Sequence, residues 1–396
     1  MANQLFQHNT KIVYWNKTRS KPWAKEMHNM FKRIPLDPSR MYMNTFTRIT
    51  DKTVLQRYFR GKGNPGVTAV SAMDSVIRIN STCLELVDRL YFSRGSGTLI
   101  ASFFFGLFFG VCFLWLVFKA FFLGQGENTP WGVLSIIWII FVLPLSWLSY
   151  KFLVLEVFNY THYPIRFNRK NKTVYLFRNG KPVLAVPWHD LEFVRISNGG
   201  KPESWSIVGC TLADDGETVT HYIPLPVSNN WGPEYLEVYW EYIRCYMEED
   251  DCVADLADIV TYCLPVEKQK EGWFFGLLYI SKMTSRLGWL VNLPLFPFVF
   301  FVSITRWLVM LTCRVPVWPP EVEEACRPDE NDPVNKGAEH NPPQVWRPML
   351  AVQGKKRYEE NYARERGAMD RIIARLKAKY PPSVQPKKRR EKRKHV

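Results

Sequence analysis

The chain lacks the cysteine spacings that hold metals. Its eight Cys stand at 83, 112, 210, 245, 252, 263, 313 and 326, with no CxxC pair and no His at zinc-finger distance. They read as reduced thiols. No apolar run follows the opening MANQLFQHNTKIVYWNK, so export through a cleaved signal is not expected. No phosphate-cradling loop is present either. GKGNPG at 61–66 has the glycines, but Val67-Thr68 follows where such a loop needs Lys and then Ser or Thr, so it reads as a turn. No Ser sits in a nucleophile-elbow setting, and His189-Asp190 after Trp188 reads as a turn between strands, not half of a catalytic pair. His162, His189 and His221 fall on predicted strands, where spacing alone brings no Cys or carboxylate partners to them. These absences lead us to expect neither an enzyme nor a cofactor. Acidic residues are also scarce, 37 against 52 basic ones, and the excess of +15 gathers at the two ends. That balance suits anionic lipid, nucleic acid or an acidic partner.

Aromatic and apolar residues, by contrast, are plentiful. With 26 Phe, 15 Trp and 47% hydrophobic content, the mean hydropathy of −0.18 conceals clustering. Thr98 to Leu123 reads TLIASFFFGLFFGVCFLWLVFKAFFL with Lys119 as its single charge, and WGVLSIIWIIFVLPLSWLSY follows at 131–150 after the short link GQGENTP. About 20 apolar residues cross a bilayer, so residues 98–154 are expected to form a two-helix transmembrane hairpin. The flanks are basic, and the positive-inside rule then predicts a multi-pass protein of a bacterial inner membrane with both termini cytoplasmic. Residues 1–97 are expected to be a basic cytoplasmic region, closing in a short amphipathic helix that carries Cys83, Leu86, Val87 and Leu90.

Residues 160–265 change character, with short β-rich runs separated by Asn-Lys, Asn-Gly-Lys and Pro. A hairpin is expected around Asp214-Asp215-Gly216, and a helix over 233–248 after Pro233. Several antiparallel strands followed by one helix is an order that resembles pleckstrin-homology-like barrels. The fold class expected is therefore α+β: a membrane hairpin plus a cytoplasmic antiparallel β domain closed by a helix. The apolar segment 273–313 is broken by Lys282, Arg286, Pro294, Pro297 and Arg306. It is expected to be interfacial or re-entrant, with Lys282 and Arg306 reaching lipid head groups. Residues 314–353 read as a Pro-rich linker and 354–396 as a basic tail. In that tail Lys387, Lys388, Arg389 and Arg390 are candidates for anionic lipid head groups. Specific nucleic-acid binding is not expected, because no reader fold accompanies the charge.

Several stretches stand in a telling order: INSTCLELVDRLYFSRG, YPIRFNRKNKTVYLFRNGKPVLAVPWHDLEF, WEYIRCYMEE, YCLP, RWLVM and VPVWPPEVEEAC. Together, over about residues 75–332, they resemble an uncharacterised family of bacterial membrane proteins associated with type VI secretion and toxin loci. The resemblance implies a non-enzymatic protein, foremost an immunity protein whose partner is a cognate effector. An adaptor for effector loading and a membrane-active toxin are the alternatives. Arg166, Phe167, Asn168, Arg169, Pro187 and Trp188 carry the family pattern, although a strand-turn-strand with an inward Trp needs the same residues for packing. Arg166, Arg169 and Trp188 are the interaction candidates of this region.

Overall fold

The computed structural model describes residues 37–105, 115 and 147–381, apart from 152, 155, 202, 230–231 and 286–288. Three strands precede the apolar region: β1 (Val54–Tyr58), β2 (Val76–Ile79) and β3 (Cys83–Leu86). Two short helices follow, α1 (Arg89–Ser93) and α2 (Ser96–Phe105). Six strands come next: β4 (Ile165–Asn168), β5 (Thr173–Leu176), β6 (Leu184–Pro187), β7 (Leu191–Ser197), β8 (Trp205–Leu212) and β9 (Val219–Asn229). The remainder is helical: α3 (Glu234–Glu248), α4 (Val253–Ile259), α5 (Trp273–Ser285), α6 (Trp289–Thr312), α7 (Pro320–Ala325), α8 (Trp346–Leu350) and α9 (Lys355–Lys379).

Two antiparallel sheets result, one in the order β1-β7-β8-β9 and one in the order β2-β3-β4-β5-β6. Local chemistry sets the turns. Between β4 and β5, Asn168 Oδ1 accepts from the Asn171 N–H and Asn171 Oδ1 from the Thr173 N–H, while Lys172 takes φ +51°. Between β8 and β9, Asp215 Oδ1 accepts from the Glu217 and Thr218 N–H groups at 2.9 and 2.8 Å, and Gly216 supplies φ +68°.

The inner faces of both sheets meet α3 in a single core. Leu84, Leu86, Phe167 and Val174 of one sheet and Phe193, Ile207 and Ile223 of the other pack with Tyr239, Trp240 and Ile243. At its centre the Trp188 ring lies 6.2 Å from Phe167, 5.0 Å from Phe193 and 6.1 Å from Trp240, centroid to centroid. The outer faces are covered as well. Tyr42, Phe46 and Ile49 lie over the first sheet, and Trp318, Val322 and Cys326 over the second.

Several expectations need correction. A two-helix transmembrane hairpin is not what the structure displays. Among the described residues one helix, Leu290–Thr312, is long and apolar enough to cross a bilayer. It falls in the segment expected to remain interfacial. The described part of the expected hairpin, α2, packs against protein: the Gly97 N–H and the Thr98 N–H and hydroxyl all donate to Glu156, and Ala101 is buried. Residues 106–146, Trp115 excepted, lie outside the described residues. One such helix does not make a multi-pass protein, so that inner-membrane placement, with both termini cytoplasmic, does not stand. Hydropathy measures composition alone and cannot tell a lipid-facing run from one that packs on its own chain.

The β domain is also larger than expected. Strands β4–β9 do fall within 160–265, but they are shared between two sheets that β1, β2 and β3 complete, so no single pleckstrin-homology-like unit forms from 160–265 alone. The helix expected over 233–248 runs Glu234–Glu248. The amphipathic helix expected over 83–90 is strand β3 followed by α1, whose N-terminus Asp88 caps by accepting from the Leu90 N–H at 3.0 Å. Nor is 314–353 a mere linker, since it carries α7, α8 and the cover of the second sheet. Much of the basic tail is docked as α9. Ile372 and Leu376 enter the core, Arg371 and Arg375 clasp Asp255, and Lys379 and Tyr380 bond Glu249 at 2.6 and 3.0 Å.

Candidate functional site

Alternation along β3 and β4 builds the site. Leu84, Leu86, Ile165 and Phe167 enter the core, so Cys83, Glu85, Arg166 and Asn168 take the opposite face. The antiparallel register sets Glu85 directly across from Arg166. On an open sheet such a pair would be solvated and worth little. Here VPVWPPEVEEAC folds over it. Pro320 opens α7 at a position that needs no N–H, and Trp318, Val322 and Cys326 close on Cys83, Tyr175 and Phe177. Glu85 is left 3% exposed and Arg166 4%.

The Arg166 guanidinium is held on two sides. Its Nη2 lies 3.1 Å from Glu85 Oε2 and 3.0 Å from Glu323 Oε1, and its Cζ sits 4.7 Å from the centroid of the Trp318 ring. Trp318 Nε1 in turn donates to Glu85 Oε1 at 2.7 Å. Burial pushes the Glu85 carboxyl above the usual carboxylate range, while the Arg166 charge and the indole N–H pull it back. Beside them Cys83 and Cys326 lie buried in one apolar cluster. Burial raises the Cys83 thiol, and the Cys83 side chain lowers that of Cys326. Arg166 Nε and Nη1 are buried without a hydrogen-bond partner, as is Arg78 Nε nearby. A cavity of about 530 Å³ opens here, with Arg78, Glu85, Arg166, Trp318, Glu323 and Cys326 in its wall. Arg78 is otherwise engaged, with Nη1 donating to Glu267 at 2.9 Å and Nη2 to Asn335 at 3.4 Å.

The other candidates lie elsewhere. Arg169 pairs with Asp250, after α3. Trp188 is buried in the central core with its indole N–H donating to Glu248, which makes it a packing residue and not a contact surface. Lys387, Lys388, Arg389 and Arg390 lie outside the described residues. Of the histidines weighed as metal ligands, His162 is fully buried with Nδ1 2.9 Å from the Thr161 hydroxyl, and burial drives its pKa down to about 3. His189 is exposed beside Asp190, and His221 is half-buried on β9. Among the described residues no group of three or more His, Cys, Asp or Glu converges to hold a metal.

Sequence reasoning missed Glu85, Glu323, Trp318 and Arg78 as parts of one site. The signal for Glu85 was its alternation with Leu84 and Leu86, obscured by a coincident helical spacing. It also misplaced Arg306. This side chain does not reach head groups: it is fully buried, with Nη2 3.0 Å from Glu271 Oε2 and Nη1 donating to the Tyr91 carbonyl at 2.7 Å. Lys282 bonds Asp74 at 2.7 Å. One face of α6 is dressed differently, with Leu290 70% and Leu293 71% exposed and Phe296, Phe298 and Phe301 more than half exposed, while Val299, Val302, Val309 and Met310 are buried.

Residues 137–330 match a family of unknown function, DUF6708. The matched span holds Arg166, Trp318, Glu323 and Arg306, while Glu85 and Arg78 stand upstream of it. No curated protein and no solved structure matches the chain.

Proposed function

We propose that the chain is a non-enzymatic, membrane-attached protein of a type VI secretion or toxin locus, and that it acts as an immunity protein by binding a cognate effector. The locus and the partner rest on the sequence resemblance over about residues 75–332. Attachment rests on one observation, the run of exposed Leu and Phe side chains along α6. Fully burying a large apolar side chain contributes roughly 1.5–3 kcal/mol, so five that are somewhat more than half exposed supply roughly 5 kcal/mol or more toward lipid. Phe103 is also exposed, on α2, which packs beside α6. Arg306, the one charge in α6, is matched by Glu271 and turned into the protein body, so it does not oppose contact between the exposed face of the helix and lipid.

Fractionation tests attachment. The wild-type chain should sediment with membranes through high salt and alkaline carbonate and be released by detergent. A chain with Leu293→Glu and Phe298→Glu should shift to the supernatant while keeping its fold by circular dichroism. If the wild-type chain is released by salt alone, the attachment half of the proposal fails. Expression in cells challenged by a neighbouring effector tests the other half: immunity restores survival, an adaptor changes secretion only, and a toxin depolarises its own host.

A further inference from the structure

The cavity beneath α7 has in its wall a buried arginine with N–H groups that no acceptor reaches, and a half-exposed glutamate paired with it. An arginine carries five N–H groups. Nη2 of Arg166 is engaged by Glu85 and Glu323, but Nε and Nη1 have no partner although the side chain is 96% removed from solvent. Buried charged donors without acceptors are rare in folded proteins and expensive to keep. Arg78 Nε repeats the pattern in the same wall. The cavity's volume of about 530 Å³ lies within the span of small-ligand sites, and Trp318 and Pro320 give it an apolar side.

We propose that this cavity binds a single carboxylate, which accepts hydrogen bonds from Arg166 Nη1 and Nη2 after displacing Glu323. Glu323 is the replaceable partner. Its side chain is 51% exposed, against 4% for Glu85, and it sits on the short helix α7 where a rotamer change releases it to water. The new pair is then the two-bond fork between guanidinium and carboxylate. Charge decides against a phosphate dianion. Arg78 is already paired with Glu267, and Arg166 with Glu85 and Glu323, so a monoanion that takes the place of Glu323 leaves the charge around the guanidinium unchanged. A dianion would leave excess negative charge beside the buried Glu85. The binding is independent of membrane attachment and of any role in immunity.

The test is calorimetric titration of the full-length protein in detergent with three probes: N-acetyl-glutamate amide, its glutamine counterpart and inorganic phosphate. Free butyrate, a monoanion, as a fourth probe separates a small organic acid from a carboxylate presented on a peptide frame. The glutamate probe should bind, and the glutamine probe should bind at least about tenfold more weakly, since it offers no charged acceptor. Glu323→Gln should tighten the glutamate probe several-fold by removing the internal competitor. Arg166→Lys, which keeps the charge but loses the fork, should weaken it by about tenfold or more. Should Arg166→Lys fail to fold, the Glu323→Gln titration decides alone. Equal binding of the glutamate and glutamine probes, no binding of any carboxylate, or no tightening in Glu323→Gln would each overturn the proposal.

Discussion

Arg306 and Glu271 form an ion pair from which water is excluded, with both side chains at most 1% exposed. Tyr91 closes the pair from the other side, its hydroxyl donating to Glu271 Oε2 at 2.5 Å and its ring lying 4.5 Å beneath the guanidinium. This node ties α6 to α1 and to the segment before α5, at the point where the exposed apolar helix joins the two-sheet body. Removing one partner strands a charge in the interior, so Arg306→Met or Glu271→Leu should each cost about 3–5 kcal/mol. Replacing both should cost clearly less than the sum. A double-mutant cycle by urea denaturation in detergent checks this, and additive costs would show that the two charges act separately.

Gly95 is the residue that lets the chain pass this node. It holds φ +88°, and a Cβ placed on it would stand 2.4 Å from the Arg306 backbone nitrogen. Both the backbone strain and the clash with main chain act against any larger residue, so Gly95→Ala should lower stability by about 2 kcal/mol or more. The readout is the thermal midpoint of the purified variant. A midpoint within a degree of wild type would mean that α1 and α6 do not approach this closely.

His162 makes stability depend on pH. Burial, aided by the Arg94 charge, holds its folded-state pKa at about 3, against about 6.5 in the unfolded chain. The unfolded state therefore binds the extra proton first. Nothing is lost above about pH 6.5, stability falls progressively between there and about pH 3, and the loss is complete below that. His162→Gln should flatten this part of the profile. Denaturation midpoints measured from pH 7.5 to 4 in both proteins give the comparison, and parallel slopes would remove His162 as the cause.

Trp188 anchors the core between the two sheets and α3. With three aromatic neighbours within about 6 Å and its indole N–H on Glu248, Trp188→Ala should cost about 3–5 kcal/mol. Trp188→Phe, which keeps most of the ring volume, should cost less. Chemical denaturation followed by far-ultraviolet circular dichroism measures both, and a near-neutral Trp188→Ala would mark the residue as a surface contact after all.

What the sequence disclosed follows physical lines. The strands from Ile165 to Asn229 and the helix Glu234–Glu248 were legible because turn residues bound them: Asn171-Lys172, Asn179-Gly180 and Asp215-Gly216 on one side and Pro233 on the other. Strand β3 was not, because it is buried on both faces. Leu84 faces the core and Glu85 faces Trp318, so the usual alternation of apolar and polar residues gives way to a spacing that mimics a helix. Arg166 was legible as a residue of interest, whereas its partners Glu323 and Trp318 stand about 150 positions away and meet it only through tertiary folding. Arg306 misled for the opposite reason. Composition treats a charge in an apolar run as a break or a head-group contact, and only the fold brings Glu271 to neutralise it.

We propose that this chain protects its cell by binding an effector from a membrane-attached position. The direct measurement is survival of a susceptible strain that produces a candidate effector toxin, with and without the chain. Survival should be restored by the wild-type protein, and the Leu293→Glu, Phe298→Glu chain, displaced from membranes, should protect less at equal abundance. Equal killing in the presence and absence of a wild-type chain that is demonstrably folded and membrane-bound would contradict the account.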